Sequence, residues 1–294
     1  MFTRAIEIAA AFTRPIRFIG RNYGSDVIHP GAASLFFVNA DGWALTCGHV
    51  VAQLSAANEL VSKRREFKAE LTHLRGKAKH RVLLRELERR CGFSKDSTYE
   101  LCYQFVDCIE GPLNLQAEVR RGVDVALIKF SGSDRLLCHS FPTFARDDAA
   151  LKPGKFLCRL GFPFAEFTNY AYDHDADEMK WTPTGRVRSP RFPIEGMVTR
   201  GVVNEADELT AFEMSTPGLR GQSGGPAFDA EGIVWGMQSA TYHLDLDFDV
   251  DQEVLRQGRK THVKSSSFLH VGRCIHVSVL KSIMREKGVA FQEG

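Results

Sequence analysis

Long apolar runs are missing from this sequence. No window offers about 18 uncharged apolar residues, so a membrane-spanning helix is not expected and no membrane is expected as a partner. The opening, MFTRAIEIAAAFTRPIRFIG, lacks the unbroken apolar core and the small-residue cleavage site of a secretory signal, because Glu7 interrupts it and Arg14 and Arg17 follow. Residues 4–13 read instead as a short amphipathic helix packed on the body. A dominant charge is missing too: 38 Lys and Arg face 36 Asp and Glu, a formal net charge of +2, so electrostatics does not argue for nucleic acid as the main partner. No internal repeat and no low-complexity tract occurs. The cysteines (Cys47, Cys91, Cys102, Cys108, Cys138, Cys158 and Cys274) are odd in number and include no C-x-x-C pair, which suggests neither a bridge framework nor a zinc knuckle. Reduced thiols in a cytoplasmic protein are the expectation.

What is present is an ordinary globular composition, 294 residues with 44% hydrophobic and 25% charged, enough for one large domain or two packed lobes. Residues 33–51 read as a hairpin: SLFFV and WALT flank Asn39-Ala40-Asp41-Gly42, and Asp-Gly is a strong turn signal. Residues 52–92 change character, with Leu60, Phe67, Leu71 and Leu74 at helical spacing and Val82, Leu83, Leu84 and Leu87 further on. Gly76 is expected to bend or divide this helix. Short strand-like runs resume at 99–109, 123–130, 156–161, 197–203, 209–214, 226–229 and 232–239, separated by Gly, Pro, Asp and Asn clusters. Such spacing indicates an all-β barrel or sandwich. HVSVLKSIMREKG closes the chain as a helix, with Val279, Ile283 and Val277 facing inward.

The chemistry-bearing feature is GLRGQSGGPAF at 218–228. A serine nucleophile needs a tight turn that exposes its hydroxyl and aims backbone amides at a developing oxyanion. The glycines around Ser223 allow that backbone, and the amides of Gly221 and Ser223 would form the hole. Serine also needs a general base held by a third group. His49 follows a hydrophobic strand in LTCGHV, and Asp124 opens DVALIK, where a carboxylate entering an apolar strand requires a partner such as an imidazole N–H.

Together these segments resemble the chymotrypsin/trypsin family of serine proteases, including its bacterial HtrA-type members. The likeness rests on T-x-G-H-V around His49, D-V-A-L-I-K around Asp124 and G-x-S-G-G-P around Ser223, in that order. GIVWGMQSAT at 232–241 is similar to the family's substrate-pairing strand, with Ser239 at its conventional serine, and RCIHVSVLKSIM at 273–284 to its final strand and C-terminal helix. The resemblance implies an all-β fold of two six-stranded antiparallel barrels, with a helical insert and a C-terminal helix. Residues 1–30 would be a helical arm, 31–145 the first barrel with the insert at 52–92, 146–272 the second barrel, and 273–294 the last strand and helix. It further implies a triad of His49, Asp124 and Ser223 and a substrate-binding set of Pro217, Gly218, Ser239, Ala240 and Thr241. No metal or organic cofactor is implied.

Departures from the family matter as well. The disulfide that secreted members place beside the histidine falls here on Ser34 and Val50. The aspartate that pairs with a released N-terminus in zymogens is Gln222, so activation by N-terminal release is not expected. No PDZ domain is expected after the terminal helix. The base of the primary specificity pocket falls on Pro217, which suggests a small or medium apolar substrate side chain, and Arg220 reads as solvated. The alternating Asp245, Asp247, Asp249 and Asp251 lack the Gly and Glu of an EF-hand loop, since Val250 and Arg256 stand there. They read as a polar strand edge or loop. The expected function is a cytoplasmic serine endopeptidase acting on protein or peptide substrates. The alternative from another class is a latent or inactive protease-like binding module, regulated by a protein partner on the basic insert. Because Glu59, Glu66, Glu70, Glu86 and Glu88 interleave its cations, nucleic acid is not the expected occupant of that insert.

Overall fold

The structure is a computed structural model that describes residues 1–74, 80–256 and 258–294. The predicted break at Gly76 lies outside the described residues.

Helix α1 (Thr3–Phe12) opens the chain and buries Ala5, Ala9 and Phe12, a spacing that puts three small or apolar side chains on one face. Strand β1 (Thr13–Asn22) follows without a loop. The helical arm predicted over 1–30 is therefore only ten residues of helix, and the first sheet begins at Thr13. In TRPIRFIGRN the apolar residues alternate with arginines, and Arg17 and Arg21 turn out buried. Arg21 is held by Glu100 at 2.8 Å and Asp177 at 2.6 Å, partners that local sequence does not reveal.

The first sheet contains β1, β2 (His29–Phe37), β3 (Trp43–Thr46), β4 (Thr98–Phe105), β5 (Asn114–Arg120) and β6 (Val125–Ser131), in the order β4-β1-β2-β3-β6-β5. The β2–β3 turn is the predicted one: Gly42 has φ +81°, and a Cβ there would sit 2.6 Å from the Phe130 carbonyl oxygen. This sheet curls with β4 and β5 as its edges. Helix α2 (Gly48–Leu74) packs against β4 at one edge and against β5 and β6 at the other. Val50, Val51, Leu54 and Ala57 are buried there. The insert is thus part of the first lobe rather than an appendage. Its outer half, with helix α3 (His80–Cys91), has its own small core of Phe67, Leu87, Phe93 and Tyr99.

The second sheet is a closed ring of six strands: β7 (Phe156–Gly161), β8 (Phe192–Val203), β9 (Leu209–Met214), β10 (Pro226–Phe228), β11 (Val234–Arg256) and β12 (Arg259–His276). The ring runs β10-β7-β8-β9-β12-β11 and returns to β10. Thr143–Phe144 and Gln292–Glu293 add short parallel pairings to it. The acidic run at 245–253 lies on β11 and pairs with β12 in a long hairpin. Helix α4 (Val277–Glu286) is capped by His276 and buries Val277, Val279 and Ile283, as the sequence suggests. This all-β architecture, two six-stranded antiparallel sheets each forming a lobe, is chymotrypsin-like.

Charge joins the insert to the second half of the chain. The acidic segment 173–178 meets the basic face of α2, where Arg64 bridges Glu178 at 2.8 Å and Lys68 donates to the Ala176 carbonyl at 2.8 Å. Part of the insert's positive charge is neutralised by this contact rather than offered to solvent.

Candidate active site

His49 is the second residue of α2, delivered by the short stretch Cys47-Gly48 after β3. The fit at Gly48 is tight: a Cβ there would come within 3.3 Å of the Asp124 carboxylate and 3.2 Å of Val119. Asp124 precedes β6 and takes hold of His49 twice. The His49 ring Nδ1 lies 2.8 Å from Oδ2, and the His49 backbone amide donates to Oδ1 at 2.9 Å. A third donor comes from the other lobe, the Ser239 hydroxyl, 2.6 Å from Oδ2. Burial works to raise the Asp124 pKa, but the hydrogen bonds from the His49 ring, Ser239 and the His49 amide outweigh it and hold the carboxyl at about 2. The group is ionised throughout the neutral range.

Ser223 sits in the turn between β9 and β10. Gly221 and Gly224 there have φ of +94° and +86°, values open to glycine without strain. A Cβ on Gly224 would lie 2.1 Å from the Ser34 carbonyl oxygen, so the turn is pressed against β2. That contact is made by bonds as well: the Ser34 amide donates to the Ser223 carbonyl at 2.9 Å, and the Ser34 hydroxyl donates to the Gly221 carbonyl at 2.7 Å. Ser34, noticed in the sequence only as a cysteine position without its cysteine, fixes the loop. With those carbonyls pointed toward β2, the amides of Gly221 and Ser223 donate to no protein acceptor among the described hydrogen bonds.

The Gln222 side chain is fully buried and satisfied at both ends. Its Oε1 accepts from the Leu219 amide at 3.0 Å and its Nε2 donates to the Phe192 carbonyl at 3.0 Å. A neutral amide thus orders the loop with no need of a charged partner.

His49 and Ser223 line the same cleft, of about 1060 Å³, with Phe18 and Ala33 on the first lobe and Phe164 and Arg220 on the second. Ser223 Oγ donates to the Ser239 carbonyl at 3.2 Å; among the described hydrogen bonds it does not reach His49. Hydrogen bonds link His49 to Asp124, Asp124 to Ser239 and Ser239 to Ser223, while His49, Ser223 and Gly221 line the cleft. Pro217, Gly218, Ala240 and Thr241 are not among the residues that line this cleft, and the Thr241 hydroxyl donates to the Gly218 carbonyl at 2.6 Å. Arg220 is exposed, as expected.

Cys47, His49 and Asp124 bring their potential ligand atoms within 4.8 Å of one another. Burial, with Asp124 close by, pushes the fully buried Cys47 thiol well above the ordinary range. Its Sγ donates to the Gln238 carbonyl at 3.3 Å.

Two residues in this region were not singled out from sequence: Arg159 on β7 and Gln238 on β11. The available signal was an arginine inside FLCRLG, an otherwise apolar strand.

Residues 33–237 match the model of the trypsin-like peptidase domain, and the chain belongs to that family. Among solved structures, two of the HtrA-type protease AlgW, each with a tripeptide, are similar to it at 12% and 13% identity, both with a TM-score of 0.49. Each comparison covers 97% of this chain and 63% of the other, so the chain spans less than two thirds of those proteins' length. No curated protein matches the sequence.

Proposed function

We propose that this protein is a serine endopeptidase that cleaves peptide bonds in protein or peptide substrates through an acyl-enzyme. Ser223 Oγ attacks the scissile carbonyl while His49 Nε2 takes its proton. The same proton then passes to the leaving amine, and water repeats the sequence to release the acid. Asp124 keeps Nδ1 protonated and offsets the imidazolium charge without being protonated itself. The amides of Gly221 and Ser223 stabilise the tetrahedral oxyanion. Before attack, Ser223 Oγ turns from the Ser239 carbonyl toward His49, a change between staggered rotamers.

The observation that carries this reading is the doubly bonded His49–Asp124 pair facing the same cleft as a serine with two unengaged amides beside it. Labelling by a fluorophosphonate probe tests it, comparing wild type with Ser223→Ala and His49→Ala. Labelling that needs both residues is the expected result. A folded wild-type protein that takes no label would sink the reading.

A second reading, a latent or inactive binding module, is favoured by the Ser223 hydroxyl donating to Ser239 and by the Thr241–Gly218 bridge. A protein partner docked on the insert is the trigger that reading requires. Removing residues 58–90 and finding unchanged labelling and unchanged partner recovery would eliminate it. The seven cysteines are unbridged in the structure, which supports a reducing, cytoplasmic compartment.

A further inference from the structure

Arg159 projects from β7 into the interior of the second lobe and is 0% exposed. Its guanidinium meets only neutral oxygens: Nη1 donates to Gln238 Oε1 at 2.6 Å, and Nη2 to the Thr216 carbonyl at 3.0 Å, the Thr216 hydroxyl at 2.6 Å and the Pro217 carbonyl at 3.1 Å. Its Nε is buried without a partner. Several other buried charges are matched: Arg21 has Glu100 and Asp177, Lys281 has Asp148 and Glu293, and Glu213 has Arg200 and Arg273, whereas Arg17, also buried, bonds only the Val187 carbonyl among the described residues. Arg159 has no carboxylate within bridging distance among the described residues. A buried cation left in that state is costly, and an anion that reached it beside Ser223 would relieve that cost.

Its place in the fold says which anion. The guanidinium touches Thr216 and Pro217 on one wall and Gln238 on the other. It passes behind Gly272 so closely that a Cβ there would lie 2.0 Å from Nη1. Gly218 leaves similar room for the Gln238 amide, 2.2 Å from where its Cβ would be. These segments adjoin Ser223, whose Oγ is bonded to Ser239, the next residue after Gln238. On the peptidase reading, the side chain of the residue that acylates Ser223 would enter between Gly218 and Ala240, where the Thr241–Gly218 bridge now closes the way, and end at the Gln238 amide with the guanidinium behind it.

We infer that the residue on the acyl side of the cleaved bond is acidic, aspartate or glutamate, its carboxylate bound by Arg159 with Gln238 Nε2 as second donor. The Gln238 Oε1 now on Nη1 occupies the position a substrate carboxylate oxygen takes. Substrate entry swings Gln238 aside and opens the Thr241–Gly218 bridge at the mouth. The apolar preference suggested by Pro217 is replaced, because the pocket floor is set by a side chain from a distant strand rather than by that position. This inference rests on the peptidase reading above.

Peptidyl diphenyl phosphonates that differ only in the recognised residue (Glu, Asp, Leu or Lys) test it, alongside a fluorophosphonate that has no such residue. The acidic probes are expected to label wild type about a hundredfold faster than the Leu and Lys probes, as expected where a substrate group satisfies a buried polar site. In Arg159→Met that ratio is expected to collapse toward one. Because the ratio is read within a single preparation, a general loss of activity cancels. If Arg159→Met does not fold, the wild-type ratio and that of Gln238→Met decide. Equal or faster labelling by the Leu or Lys probe, with good fluorophosphonate labelling, overturns the acidic preference and leaves the peptidase standing. No labelling of folded protein by any probe overturns both.

Discussion

Asp124 satisfies three donors at once, and this makes one carboxylate answerable for both ring orientation and lobe contact. Asp124→Asn would present an N–H where Oδ2 now accepts, favouring the wrong imidazole tautomer. Peptide hydrolysis by the folded variant is expected to fall by about 10⁴ in kcat/KM. Its ionisation also bears on stability. The folded pKa, about 2, lies below the ordinary 3.8, so the contribution is fully present above the unfolded value and is lost as pH falls through the folded one. The difference in thermal midpoint between wild type and Asp124→Asn should therefore narrow between pH 4 and pH 2. A gap that stays constant over that range would contradict the assignment. Arg159 shows the limit of local reading at this scale. Its strand was legible as a strand, but its partners Thr216, Pro217 and Gln238 come from positions 57 to 79 residues away.

Among the elements, the Ser223 turn and the insert make opposite demands. The turn depends on two glycines with positive φ and on contact with Ser34, so Gly224→Ala is expected to cost at least about 1–3 kcal/mol from backbone strain alone. Urea denaturation with a parallel fluorophosphonate assay checks it, and both stability and labelling should drop. The insert depends on a few aromatic contacts: Phe67 packs edge-on to Phe93 with centroids 5.0 Å apart, and Tyr23 stacks on Phe93 at 5.6 Å. Phe67→Ala should cost about 3–5 kcal/mol there. Hydrogen exchange should then lose protection over 60–74 and 80–93 while β7–β12 remain protected. The hairpin of β2 and β3, β7, β9 and the closing helix were legible because their periodicity and turn chemistry are local. Strand β1 was not, since residues 1–30 read as a helical arm and the partners that hold Arg21, Glu100 and Asp177, are distant in sequence.

For the whole molecule, the terminal helices fasten the two lobes. Helix α1 packs on β7 and β10 of the second lobe although its chain continues into the first, and α4 packs on β9, β11 and β12 while touching β6. The His-Asp-Ser order was readable because each residue lies in a short motif. The docking of segment 173–178 on α2 was not, since Arg64 and Glu178 are 114 residues apart. No bridge joins the seven cysteines, so calorimetric midpoints with and without a thiol reductant are expected to coincide. A lower midpoint in reductant would mean that a cross-link stabilises the fold.

Gln222 carries a consequence for timing. Its amide is satisfied at Leu219 and Phe192, within the second half of the chain, and Ser34 holds the same loop from the first, so the loop around Ser223 becomes ordered once both lobes have met. Competence would then arrive with folding, with no maturation interval for another enzyme to end. On the peptidase reading, restraint would then fall on which polypeptides reach the cleft.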